Sequence, residues 1–273
     1  MTLKTRNRTL IVFICFFLLC TIVSTTALLK QAFSPAFESI FGYKFFSLKG
    51  FSFIAPSDKT VILALIFLQF FIPITTILLF LNFEKTQSTL IILFGLFLLG
   101  CQLQCFRIFI GLFNFKFSFS MDYLVLGKLA IMGKLLVLAS FFLIAAESRN
   151  STKLNIEMDI FIAIIACFVI TLSIPLRTAM PSKNFGIIPG YVTVLNFLGI
   201  ITGILTAITF LVSYKETEEK IILNLLVSYC IIMISFFILT STDLLWAALL
   251  GSSGLALGTH LFMRSLHRMY LWS

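Results

Sequence analysis

The chain is 273 residues long, 60% of them hydrophobic and only 11% charged, with a mean hydropathy of +1.10. A soluble domain runs at ~45–50% apolar and ~25% charged. No water-facing surface can be built from so few charges, which excludes a soluble enzyme, a DNA-binding protein and a disordered chain. The net charge of +9 is scattered singly between apolar runs, with no stripe to follow a phosphate backbone; it points to a lipid bilayer as partner and to no nucleic acid.

A spanning helix needs ~20 mostly apolar residues to cross the hydrocarbon layer. The first such run, Leu10 to Leu29, follows Lys4, Arg6 and Arg8. It exceeds the ~7–15 apolar residues of a signal peptide and lacks a small-x-small cleavage site before Lys30, so it reads as an uncleaved first span. The segment 30–59 is rich in aromatic residues. Ser34-Pro35 offers a helix start and Gly50 a stop, with Phe37, Ile40, Phe41, Phe45 and Leu48 at helical spacing on one side. This pattern suits an extracytoplasmic helix lying in the interface or, equally, a loop shielded by neighbouring spans.

Seven further spans are expected at residues 60–81, 89–112, 123–146, 160–176, 191–212, 221–240 and 244–262. The fifth run is the shortest, bounded by Asp159, Pro175 and Arg177; were it re-entrant, everything after it would change sides. The expected architecture is an all-α, polytopic integral membrane helix bundle of about eight transmembrane helices forming a single transmembrane domain over residues 1–273. Backbone groups in lipid must satisfy one another, and no alternating strands are present for a barrel. With the N-terminus inside, inner segments hold ten Lys and Arg and outer segments seven, and the cluster ahead of the first span agrees. Both termini are therefore expected in the cytoplasm, in a cell membrane. The six cysteines all lie inside apolar stretches and read as packing residues rather than as a disulfide framework.

Polar side chains within spans are costly unless they face protein or water, which makes them the natural candidates for a binding site. In the second span these are Gln69, Pro73 and Thr76, with Pro73 expected to kink the helix and free a carbonyl. In the third span, Gly100, Gln104, Arg107 and Gly111 share a face. In the fourth, Lys128 reads as interfacial and Lys134 lies roughly 9 Å deeper. Asn196 in the sixth span and Asn224 in the seventh complete the substrate-binding candidates Gln69, Gln104, Arg107, Lys134, Asn196 and Asn224. Gly199 and Gly203, like Gly254 and Gly258, carry the small-residue spacing of close helix packing. Each of these stripes also has a bland explanation as snorkelling cations or interhelical hydrogen bonds.

No catalytic or metal centre can be assembled. Ser253 and His260 are seven residues apart on one helix, hence ~10 Å along its axis and beyond hydrogen-bond reach. Cys101 and Cys105 have no histidine or further cysteine near them in sequence to complete a metal site, and no cofactor motif is present. The preferred reading is a small permease or a membrane subunit of a transport complex, with other membrane subunits as partners. The alternative is a sensory or scaffolding module signalling to a cytoplasmic partner, and an intramembrane enzyme ranks third.

Overall fold

The computed structural model describes residues 3–33, 56–84, 88–112, 121–149, 155–181 and 184–271. The aromatic segment expected to form an interfacial helix falls almost wholly outside these residues. The helices are α1 (Leu3–Ala32), α2 (Asp58–Phe83), α3 (Leu90–Cys105), α4 (Ile108–Leu112), α5 (Met121–Arg149), α6 (Ile156–Ser173), α7 (Val192–Thr217), α8 (Lys220–Ser241) and α9 (Leu245–Leu271). With α3 and α4 taken as one broken segment, eight helices among the described residues are long and apolar enough to cross a membrane. An all-α bundle is thus the fold, with one addition. The punctuation after α6 contains a short antiparallel hairpin, β1 (Leu176–Pro181) and β2 (Ile187–Pro189), pairing Leu176 with Pro189 and Arg177 with Ile188.

The helix α3 occupies the centre, with 83% of its apolar window buried. It packs against α1, α2 and α5, and α8 pairs closely with α9. At the periphery, α6 rests on α5, and α7 bridges α5 and α8 with only 11% of its window buried. In water such a helix would expose an untenable apolar face; in lipid it meets a matching solvent. The segment α6 crosses the bundle rather than turning back. Its C-terminal end lies beside the start of α5, where the Lys128 ammonium donates to the carbonyls of Thr171 (2.7 Å), Leu172 (3.0 Å) and Ile174.

The crossing α1 begins earlier than its apolar run. Arg6 is buried and donates to the carbonyls of Phe83 (2.7 Å) and Glu84 (2.9 Å) at the end of α2. The helix α2 continues through Pro73. Proline has no N–H to offer the carbonyl of Gln69 four residues back; the Thr21 hydroxyl on α1, which donates at 2.7 Å to the Phe17 carbonyl of its own helix, also lies 3.3 Å from that carbonyl. The side chain of Gln69 donates to the Thr21 hydroxyl at 3.2 Å and accepts from Gln102 at 3.3 Å. Gln69 therefore stitches α1, α2 and α3 together.

Glycines set the closest approaches. A Cβ at Gly100 would lie 2.8 Å from the Gly133 carbonyl oxygen, and one at Gly133 would lie 2.5 Å from that of Gly100, so α3 and α5 touch backbone to backbone. A Cβ at Gly258 would meet Ile232 at 2.8 Å, and one at Gly254 would collide with the Ser235 hydroxyl. By contrast, the nearest atoms to a Cβ at Gly199 and Gly203 are a Leu138 methyl and the Tyr229 hydroxyl, each at 3.6 Å. The expected packing role thus has its close contact at Gly254 and Gly258; Gly199 and Gly203 stand at no such contact.

Two substitutions separate these classes. Gly133→Val is expected to destabilise by about 1–3 kcal/mol through overpacking. Gly199→Ala is expected to stabilise by about 0.5–1 kcal/mol, the usual gain of alanine over glycine within a helix. Thermal unfolding in detergent should move in opposite directions for the two proteins.

Candidate functional site

The third crossing is interrupted where its polar stripe is richest. Between α3 and α4 the chain makes a tight turn, with Arg107 N–H donating to the Gln104 carbonyl (3.4 Å) and Ile110 N–H to that of Arg107 (3.1 Å). This break aims Arg107 away from the α3 axis toward the end of α8. There one guanidinium nitrogen donates to the Thr240 carbonyl at 2.7 Å. Thr240 is the second-last residue of α8, where carbonyls have no helical donor, so the cation completes that helix end. The Asn184 amide, from the turn of the hairpin, donates to the same oxygen at 3.1 Å.

Behind Arg107 lies a cavity of about 760 Å³, in the range of small-molecule sites. The walls come from α5, α7 and α8, and the hairpin closes one end. Four of the sequence candidates meet here: Gln104, Arg107, Lys134 and Asn196. Gln104 is fully buried, its amide nitrogen donating to the Ala130 carbonyl while its oxygen has no partner. Arg107 is 3% exposed and uses only the Thr240 bond; its Nε–H has no acceptor. Lys134 makes no hydrogen bond or ion pair with any described residue. In a helix each Cα–Cβ bond tilts toward the N-terminus, which directs Lys134 toward the hairpin end, where Arg107 stands. Both cations line the same cavity. Asn196 is exposed at the mouth. Among the described residues, no aspartate or glutamate lines the cavity.

The remaining candidates lie elsewhere. Gln69 belongs to the Thr21–Gln102 network. Asn224 is exposed, near the start of α8, whereas the part of α8 that lines the cavity runs from Tyr229 to Ser241. Lys128, which reads as interfacial in the sequence, is committed to the end of α6. Gly199 and Gly203 line the cavity floor along α7. The lining also includes Asn184, Tyr229, Cys230 and Ser241, which no sequence pattern singles out, because loop and helix come together there only in three dimensions. Tyr229 donates to the Gly203 carbonyl at 3.1 Å.

Two features shape the ends. At the hairpin end, Phe185 is wholly buried with φ at 57°, a left-handed conformation uncommon for a bulky residue. Its ring fits the space left by Gly111, where a Cβ would approach it to 2.8 Å. On the other side, Tyr229 is 5.2 Å from the ring of Phe141, which in turn contacts Phe97 at 5.0 Å and Phe262 at 6.0 Å. Phe94 stacks on Phe262 at 4.9 Å. This aromatic layer stands between the cavity and the opposite end of the bundle.

The fold and cavity define a multi-pass helical membrane protein with a cationic, largely apolar chamber. No family model, curated protein or solved structure matches the chain, so the chamber itself carries the functional reading.

The two lysines of α5 should separate in stability measurements. Lys128→Met removes charge-assisted bonds to three carbonyls and is expected to cost about 1–3 kcal/mol. Lys134→Met removes a charge that has no partner from an apolar wall and should raise the unfolding midpoint. Equal losses in the two variants would contradict their assignment to different roles.

Proposed function

We propose that the protein is a small permease, or the membrane subunit of a transport complex, and that its ligand bears negative charge. The observation that carries this is the convergence of Arg107 and Lys134 on one chamber whose described lining residues include no acid. A cation in low dielectric is expensive. Arg107 offsets part of that cost through Thr240 and retains free donors, while Lys134 has none of the compensation that Lys128 enjoys. A carboxylate or phosphate placed between them would satisfy both, and Gln104 and Asn196 add further polar contacts. A chain break beside the charged residue is also how discontinuous helices build sites within membranes.

Flux of inorganic phosphate, acetate, a dicarboxylate and a long-chain alkyl phosphate should be measured in vesicles containing the purified protein. Arg107→Ala and Lys134→Ala are each expected to reduce the transported anion's flux by about tenfold or more, the scale of a lost charge-assisted contact. Anion flux that is the same in wild type and both variants would overturn the reading.

One observation favours a sensory module instead: the aromatic layer of Phe94, Phe97, Phe141 and Phe262 packs behind Tyr229, between the chamber and the end of the bundle away from the hairpin. Saturable anion binding without flux would select that alternative, in which α7 would pass the signal to a partner. On either reading we place both termini in the cytoplasm, as the basic N-terminal cluster favours, so that the hairpin faces outside. A protease-sensitive tag fused after residue 273 should then be cut only when the inner face is opened.

A further inference from the structure

The chamber is polar at one end and apolar along its length, and that division narrows the ligand. Arg107, Gln104, Asn184 and Ser241 gather near the hairpin, with Lys134 leaning toward them. Beyond Asn196 the lining along α7 is Gly199, Ile200, Gly203, Ile204 and Ala207. From Asn196 to Ala207 the helix rises about 16 Å, comparable with an extended dodecyl chain. The facing wall from α8 is Met233, Ile234 and Phe237.

This apolar cleft is open sideways. Ile200 is 60% exposed, Ile204 54% and Ile234 62%, and all three are also cavity residues, so the gap between α7 and α8 communicates directly with the surrounding hydrocarbon. Gly199 and Gly203 form its floor: a Cβ at either would meet a single side-chain atom, of Leu138 and of Tyr229, at 3.6 Å, and both glycines line the cavity. A small hydrated anion gains nothing from such a channel. A molecule already dissolved in the bilayer can enter through it, and only its head must leave the headgroup layer.

Building on the anion site proposed above, we infer that the chamber takes a single-chain anionic amphiphile. The carboxylate or phosphate head lies between Arg107 and Lys134, and the alkyl or prenyl tail lies in the α7–α8 cleft over Gly199 and Gly203. The unpartnered Arg107 Nε–H and Lys134 ammonium supply the donors. The two cations, with no carboxylate among the described lining residues, set the sign of the head, and the lateral opening sets the tail.

The test uses the full-length protein in phosphatidylcholine nanodiscs and radiolabelled dodecyl phosphate, with empty discs as background. Saturable binding is expected, displaced by dodecanoate but not by dodecanol or inorganic phosphate. Lys134→Gln and Gly199→Leu should each weaken it by about tenfold. A leucine at 199 projects into the cleft and Lys134 has no bond to a described residue to lose, so neither variant should unfold at a lower midpoint than the wild type. If dodecyl phosphate binds no better than inorganic phosphate, and Gly199→Leu leaves anion binding untouched while Lys134→Gln weakens it, the amphiphile is overturned and the anion site stands. If neither anion binds above background, both fall.

Discussion

The structure depends on one constraint: carbonyl groups at helix ends have no partner within their own helix, and lipid supplies none. Cations from neighbouring helices meet that need at three places. Arg6 of α1 serves the end of α2, Lys128 of α5 serves the end of α6, and Arg107 serves the end of α8. Each arrangement also places positive charge at the negative pole of a helix dipole. These contacts tie together crossings that are far apart in sequence, and they explain how a bundle with so few charges spends them. Lys134 stands out because it is set in the same kind of wall and serves no helix end.

Much of this architecture was legible in the chain. The eight apolar runs correspond to the eight crossings, since hydrocarbon thickness imposes a length that local composition can meet or miss. Pro73 announced a freed carbonyl, and the structure shows Thr21 attending to it. Gln104, Arg107, Lys134 and Asn196 stood out as polar residues in oil, and the structure brings them to one chamber. What could not be read was adjacency. Arg107 and Thr240 are 133 residues apart in the chain, and no periodicity links them. The same holds for Gln102, which lies on a different face of α3 from the Gln104 stripe and joins Gln69 instead.

The glycines show why spacing alone underdetermines structure. Gly254 and Gly258 have the same four-residue interval as Gly199 and Gly203, yet one pair lets α9 press on α8 while the other leaves a void. The difference lies in what faces them: Ser235 and Ile232 in the first case, the chamber in the second. The hairpin was hidden for a related reason, because its residues read as polar punctuation and only its packing of Phe185 and Ile187 against Gly111 and Gly127 gives it a place. The loosely held α7 and the tightly packed aromatic layer divide the bundle into a yielding side and a rigid one. Any opening of the chamber costs least on the α7 side, where few side chains are buried.

The oxygen of Thr240 receives two donors, one from Arg107 and one from Asn184. An incoming anion that drew the guanidinium toward itself would therefore not strand that oxygen, since the asparagine amide would hold it alone. On the proposed reading, the strongest donor of the chamber would change partners without unpicking the end of α8, and occupancy of the chamber would reach the hairpin through that one shared acceptor.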